Sequence, residues 1–248
     1  MSVLLIALAA GAVIGLALGA LGGGGSVLAV PALIYLLGFT PVAAGTASLV
    51  IVTVTSATAL TAHAREGRVR WRTGLLFAAA GIGPALLGGA VAGRLPQAVL
   101  TTAFAVTAAL AALRMLRPRP DEASGPVRPL RAAGAGAGLG ALTGVLGVGG
   151  GFLAVPALVG VVRLGMREAV GTSLLVITVN SLAALMMRTG TADGPDWAVI
   201  APFAGAAILG AWDGRRLAAK VSGPALRRIF ALMLLGVAAF MLIDAALR

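Results

Sequence analysis

Long apolar stretches separated by short polar loops make up nearly the whole chain. The pattern of hydrophobic and polar positions predicts ten apolar segments, at residues 3–21, 26–39, 42–64, 73–93, 95–113, 132–147, 151–162, 168–187, 197–212 and 226–247. A helix needs about 20 apolar residues to cross a bilayer, or about 17 at the lower limit. The second and seventh segments are therefore too short to cross comfortably.

A glycine-rich run interrupts the apolar sequence once in each half. Leu21-Gly-Gly-Gly-Gly-Ser-Val-Leu-Ala-Val-Pro31 returns 125 residues later as Leu146-Gly-Val-Gly-Gly-Gly-Phe-Leu-Ala-Val-Pro156, and residues 15–33 match residues 140–158 at 12 of 19 positions without a gap. Both short segments begin at such a run. A duplicated interruption of this kind is typical of transporters with paired broken helices around a central site.

Composition makes the chain an integral membrane protein. Of its 248 residues 59% are hydrophobic, mean hydropathy is +1.03, and no charged side chain lies between Met1 and Arg65. We therefore predict an all-α, polytopic membrane protein in the cell membrane. Residues 3–21 lack a preceding positive region, which favours a retained span over a cleaved signal peptide. The absence of cysteine and the single histidine, His63, argue against metal clusters, and we expect no cofactor.

Proline and charge divide the chain into two halves. A polar, proline-rich linker at residues 118–131 separates a first repeat, residues 1–117, from a second, residues 132–248. Sixteen of the 19 Lys and Arg residues fall in four regions, which are loop 65–72, the region 114–131, residues 163–167 and residues 215–228. Lys and Arg favour cytoplasmic loops, so these regions are predicted inside and both termini outside.

The same charges predict that the two repeats insert upside down relative to each other. Loop 65–72 is positive, whereas the corresponding loop 188–196 of the second repeat is net negative. Trp71 and Trp197 occupy matching positions and would lie at opposite membrane interfaces. Whether the glycine-interrupted segments cross the membrane or are re-entrant stays open.

The glycine runs suggest an anion site. A helix start leaves about four backbone N–H groups without helical partners and carries about half a positive charge. The candidate residues for substrate binding are Gly24, Gly25, Ser26, Gly149, Gly150 and Gly151. The competing interpretation is that these glycines permit close helix packing.

Hydroxyl and amide side chains extend the candidate site. Gly-Thr-Ala-Ser at residues 45–48 resembles Gly-Thr-Ser at residues 171–173, which adds Thr46, Ser48, Thr172 and Ser173. Their hydroxyls could cap a helix, bond back to the carbonyl four residues earlier or donate to a substrate. Asn180, in the middle of a segment, is either an interhelical hydrogen bond or a pore contact. No carboxylate precedes Glu66, so uniport or exchange is at least as plausible as proton coupling.

The glycine runs, the Gly-Thr-x-Ser element and the basic loop ending at Trp71 resemble the TauE/SafE family of membrane anion permeases. The resemblance covers essentially the whole chain and implies export of sulfite or small organosulfur anions such as sulfoacetate. It also implies a site at Gly24, Gly25, Ser26 and Gly149–Gly151 with the neighbouring Thr and Ser positions. The chain departs from the pattern at Ser26, where the family has glycine, and at Val148.

The leading hypothesis is a secondary exporter of small oxyanions that works by alternating access between the repeats. A permease or channel for another small anion and a membrane scaffold are the alternatives. An intramembrane hydrolase is disfavoured because Ser26 lacks a nucleophile-elbow motif, so we expect no catalytic residue and no enzyme activity. The expected partners are a small inorganic or organosulfur anion and the lipid bilayer, without nucleic acid. A homo-oligomer stays open.

Overall fold

The computed structural model describes residues 2–92, 96–117, 129–146, 151–187 and 197–247, and this part of the chain is helical throughout apart from short connections. Its ten helices are α1 Ser2–Leu21, α2 Gly24–Tyr35, α3 Pro41–Arg65, α4 Trp71–Ala92, α5 Gln97–Leu116, α6 Pro129–Leu146, α7 Gly151–Gly160, α8 Met166–Met187, α9 Trp197–Ala219 and α10 Gly223–Leu247. Five of these, α1, α3, α8, α9 and α10, are long and apolar enough to cross a membrane. The predicted all-α, polytopic fold is confirmed.

The ends of several helices differ from the sequence prediction. The ninth helix continues to Ala219 rather than to residue 212, so Arg215 and Arg216 belong to its last turns and not to a loop. Cations are favoured near a helix C-terminus, which lets a membrane helix extend into the polar region. Similarly, α6 begins at Pro129, inside the predicted linker, because proline suits the first helical position. Linker residues 118–128 and loop 188–196 lie outside the described residues.

Two helix pairs pack closely through small residues. Along α1, Gly11, Gly15 and Gly19 meet the backbone of α9 at Phe203, Ala207 and Ala211 respectively. A Cβ on Gly15 would overlap the Ala207 backbone, and the contacts advance together along both chains, so α1 and α9 run parallel. Gly136 of α6 meets Phe77 of α4 in the same way. Small residues spaced by four let membrane helices approach closely. Close helix packing therefore accounts for the glycine residues at these positions.

The middle of the molecule is the pair α3 and α8. The Ser56 hydroxyl lies 2.9 Å from the Thr178 hydroxyl, and the backbone N–H of Arg70, just beyond α3, donates to Thr172 near the start of α8. Because residue numbers rise on one helix as they fall on the other, α3 and α8 are antiparallel. Further pairs are α5 with α10 and the short helices α2 with α7.

This pairing has a simple relation to the two halves of the chain. Exchanging α1–α5 with α6–α10 turns the α1–α9 pair into the α4–α6 pair and leaves the α3–α8, α5–α10 and α2–α7 pairs unchanged. An antiparallel arrangement of α3 and its counterpart α8 is what an inverted repeat would produce. The division into inverted repeats itself stays a prediction.

Candidate functional site

The glycine run of the first half forms a tight turn between α1 and α2. Gly22 has a φ of +71°, a left-handed conformation that glycine adopts without steric cost, and its N–H donates to the carbonyl of Leu18 at 2.8 Å. Gly25, in the first turn of α2, lies against Ile14 and Leu18 of α1. The identity of Gly25 is thus explained by packing of the α1–α2 hairpin.

The first glycine run contacts the second. A Cβ on Gly23 would overlap the carbonyl group of Gly151, the first residue of α7, and the site beside Gly22 is occupied by the side chain of Ser173. The structure therefore brings Gly23, Gly151 and Ser173 together from both halves of the chain. Gly24 and Ser26 lie in the first turn of α2, whereas Gly149 and Gly150 lie outside the described residues.

The first residues of α2 and α3 are capped differently. At α3, the side chain of Thr40 accepts a hydrogen bond from the backbone N–H of Ala43 at 3.3 Å. The residue that precedes α2 is Gly23, which has no side chain with which to cap a helix. The space that a side chain on Gly23 would fill is occupied by the backbone of Gly151 at the start of α7.

The predicted hydroxyl residues bond mainly to their own helices. Ser48 donates to the carbonyl of Gly45 at 2.9 Å, and Ser173 donates to that of Val170 at 2.8 Å. These two serines are 125 residues apart, the same spacing that relates the glycine runs. Thr172 accepts a hydrogen bond from the N–H of Arg70 at 3.1 Å, and Thr46 lies half-buried in the first part of α3. Back-bonding, one of the three roles considered for these hydroxyls, is the one that both serines adopt.

Asn180 lies in the middle of α8, and its side-chain oxygen is buried without a hydrogen-bond partner among the described residues. Its counterpart 125 residues earlier is Thr55, which is 1% exposed and whose hydroxyl oxygen is also buried without a partner in that part of the chain. Sequence reasoning missed Thr55. The signal was present, because Thr53-Val-Thr-Ser56 returns as Thr178-Val-Asn-Ser181 at the same spacing as the glycine runs.

Charged groups from both halves meet at one end of the bundle. Glu66 pairs with Arg68 at 2.8 Å and also with Arg215, and Arg70 pairs with Glu168 at 2.7 Å. His63 is buried beneath this cluster, with its Nε2 atom 3.4 Å from the carbonyl oxygen of Gly19. The ion pairs join the α3–α4 loop of the first half to α8 and α9 of the second.

Two further contacts connect the remaining basic regions to this end. Arg167 donates to the carbonyl of Val221 at 3.1 Å, and Arg227 donates to that of Arg117 at 3.0 Å. All four regions that the sequence assigns to the cytoplasm are thereby linked by direct contacts. Their common side in the membrane stays a prediction.

Comparison with known proteins identifies the family. The family model described as "Sulfite exporter TauE/SafE" matches residues 7–241. Two proteins from Xylella fastidiosa, strains 9a5c and Temecula1, each named "Probable membrane transporter protein", are 35% identical over 249 residues, which cover 96% of this chain and 95% of each relative. The chain therefore belongs to the sulfite exporter TauE/SafE family of membrane transporters.

Proposed function

We propose that this protein is a secondary transporter that exports small oxyanions, such as sulfite or organosulfonates, from the cell. The observation that carries the proposal is the contact between Gly23 and Gly151, which joins the glycine runs of the two halves. A site at such a contact can open to alternate sides when one half rocks against the other. The membrane protein would be multi-pass, with both termini outside the cytoplasm.

Backbone N–H groups at the starts of α2 and α7 would bind the anion. Each helix start carries about half a positive charge, and two starts near one another favour a negative solute. The first turn of α2 contains Gly24, Gly25 and Ser26, and α7 begins with Gly151. Gly25 packs against α1, so an oxyanion would approach the backbone at the other small residues of this turn, Gly24 and Ser26.

The membrane potential is sufficient to drive export of a monoanion. Each negative charge that leaves an inside-negative cell gains about 2.3 kcal/mol per 100 mV. No carboxylate precedes Glu66 in the sequence, and Glu66 itself is paired with Arg68 and Arg215. Uniport or anion exchange therefore accounts for transport without a titrating carboxylate in the first three helices.

The test is flux into proteoliposomes that contain the purified protein. Labelled sulfite, sulfoacetate, sulfate and acetate are offered separately, with a membrane potential and a pH gradient imposed one at a time. We expect saturable flux of sulfite or sulfoacetate that responds to the potential. Non-saturating current would indicate a channel, and no flux of any anion above that of empty liposomes would refute the proposal.

A further inference from the structure

We propose that Thr55 and Asn180 form a further, paired contact for the transported oxyanion, in addition to the glycine runs. This inference rests on the proposed function, since it assigns further ligand-binding residues to the same transport site. The two residues occupy equivalent positions in the repeated Thr-Val-Thr/Asn-Ser motif. Both carry a buried oxygen that has no hydrogen-bond partner among the described residues.

The neighbouring hydroxyls show how unusual Thr55 is. In α3, Thr53 donates to the carbonyl of Leu49 at 2.6 Å and Thr58 to that of Val54 at 2.8 Å. Threonine in a helix commonly satisfies its hydroxyl by bonding back one turn in this way. Thr55 is 1% exposed and has no such bond, so its hydroxyl lacks the compensation that buried polar groups normally have.

Two other hydroxyls of the motif, those of Ser56 and Thr178, join α3 to α8. Thr178 donates to the carbonyl of Leu174 at 2.8 Å and lies 2.9 Å from the hydroxyl of Ser56, which is also 3.2 Å from the carbonyl of Thr53. Both hydroxyls therefore have partners among the residues of α3 and α8. These two residues hold the halves together, whereas Thr55 and Asn180 keep polar atoms for another group.

Thr55 is placed on the side of α3 that faces the α1–α2 hairpin. One turn before it lies Ile51, which belongs to a buried cluster with Ile14 of α1 and Leu33 of α2. One turn after it lies Ala59, which clusters with Leu18, close to the glycine turn. Asn180 has the corresponding position on α8, one turn after Val176, which clusters with residues of α7. Each polar residue is therefore on the face of its helix directed at the broken helix of its own half.

The chemistry of the pair suits a small oxyanion. A threonine hydroxyl can donate to an anion oxygen, and a carboxamide can donate through its amino group and accept from a proton on the ligand. Neutral donors in a buried place bind an anion without the fixed ion pair that a lysine or arginine would form. An unpaired buried polar atom is also costly, so an anion oxygen that accepts from the Thr55 hydroxyl gains affinity, and Oδ1 of Asn180 would be satisfied by a ligand that carries a proton.

The experiment compares Thr55→Val with Thr58→Val in the proteoliposome assay with sulfite. Valine keeps the shape of threonine and removes the hydroxyl, and Thr58 is the matched control because its hydroxyl bonds to its own helix. We expect KM for sulfite to rise roughly tenfold in Thr55→Val, as for loss of a hydrogen bond to a charged ligand, and to change less than twofold in Thr58→Val. Thr55→Ser should restore wild-type KM.

Other outcomes separate this inference from the proposed function. We expect the same rise in KM for sulfite in Asn180→Leu as in Thr55→Val. Asn180→Leu serves as the test if Thr55→Val is not recovered from membranes. If wild-type protein transports sulfite while both variants keep a KM within twofold of wild type, the inference is wrong and the proposed function stands. If wild-type protein transports none of the anions, the proposed function fails first.

Discussion

Gly23 of the first half lies directly against Gly151 of the second half, at a separation that leaves no room for a side chain on Gly23. Gly23 precedes α2, and Gly151 is the first residue of α7. The two short helices therefore begin beside each other, although 128 positions separate these glycines in the sequence. This contact joins the two halves of the chain where the glycine runs interrupt their apolar segments.

Gly23→Ala should impair transport by forcing α2 and α7 apart. The backbone of Gly23 is right-handed, with φ of −57°, so alanine is allowed there and the new methyl group alone causes the conflict. Overpacking of this kind costs about 1–3 kcal/mol. We expect at least a tenfold loss of sulfite flux per protein, roughly the effect of 1.4 kcal/mol.

Gly83→Ala is the control for that variant, because a Cβ on Gly83 in α4 would meet open space. It should keep wild-type flux and lose no thermal stability, since alanine favours a helix over glycine. Equal flux in Gly23→Ala and Gly83→Ala would show that the contact with Gly151 does not matter for transport.

Packing of α1 against α9 should contribute much of the protein's free energy of unfolding. Gly15→Val introduces a side chain against the Ala207 backbone, and we expect a loss of about 1–3 kcal/mol, seen as a lower midpoint of thermal unfolding in detergent. Gly205→Val, on α9 where the space is open, is the comparison. A midpoint for Gly15→Val as high as that of Gly205→Val would contradict the packing.

The ion pairs between the halves should restrict access from their end of the bundle. The chain has no cysteine, so Ser173→Cys provides a single label site at a buried position beside Gly22. Glu66→Gln removes the partner of Arg215 and should speed maleimide labelling at position 173 roughly two- to fivefold, as expected for a partly exposed pair. The measurement is the labelling rate in membrane vesicles.

Asp213→Asn is the matched control, because it breaks the exposed pair with Arg216, in which the two groups are 3.7 Å apart within one helix. It should leave the labelling rate unchanged. Identical rates in both variants would show that the Glu66 pair does not limit access.

The orientation in the membrane can be tested with single cysteines at the two ends of α3. Leu36 precedes this 25-residue helix and Arg72, in the first turn of α4, follows it, and α3 itself is about 37 Å long. We expect an impermeant thiol reagent to label position 36 in intact cells and position 72 only after permeabilisation. The reverse pattern would place the Glu66 cluster outside the cytoplasm.

The sequence predicted the helices well because apolar length is a direct requirement of the bilayer. It placed the end of α9 less well, since Arg215 looks like a loop residue but lies in a helical turn that continues beyond the apolar segment. A window of hydropathy reports where a chain leaves the hydrocarbon, not where its backbone hydrogen bonds end.

For the candidate site, the sequence identified the glycine runs but not how they are used. Whether Gly25 packs against Leu18 or approaches a ligand depends on a helix hairpin, which periodicity does not describe. Thr55 looked like one of several threonines in α3, and its unpaired hydroxyl became evident when the bonds of Thr53 and Thr58 were known. The equivalence of Thr55 with Asn180 was readable from the repeat spacing alone.

The proposed anion site lies where the starts of α2 and α7 meet. Diffraction from crystals grown with selenite, a heavier analogue of sulfite, locates the anion through the anomalous signal of selenium. We expect a selenium peak within hydrogen-bonding reach of backbone N–H groups in the first turn of α2 or α7. A bound selenite remote from both glycine runs would rule out this site.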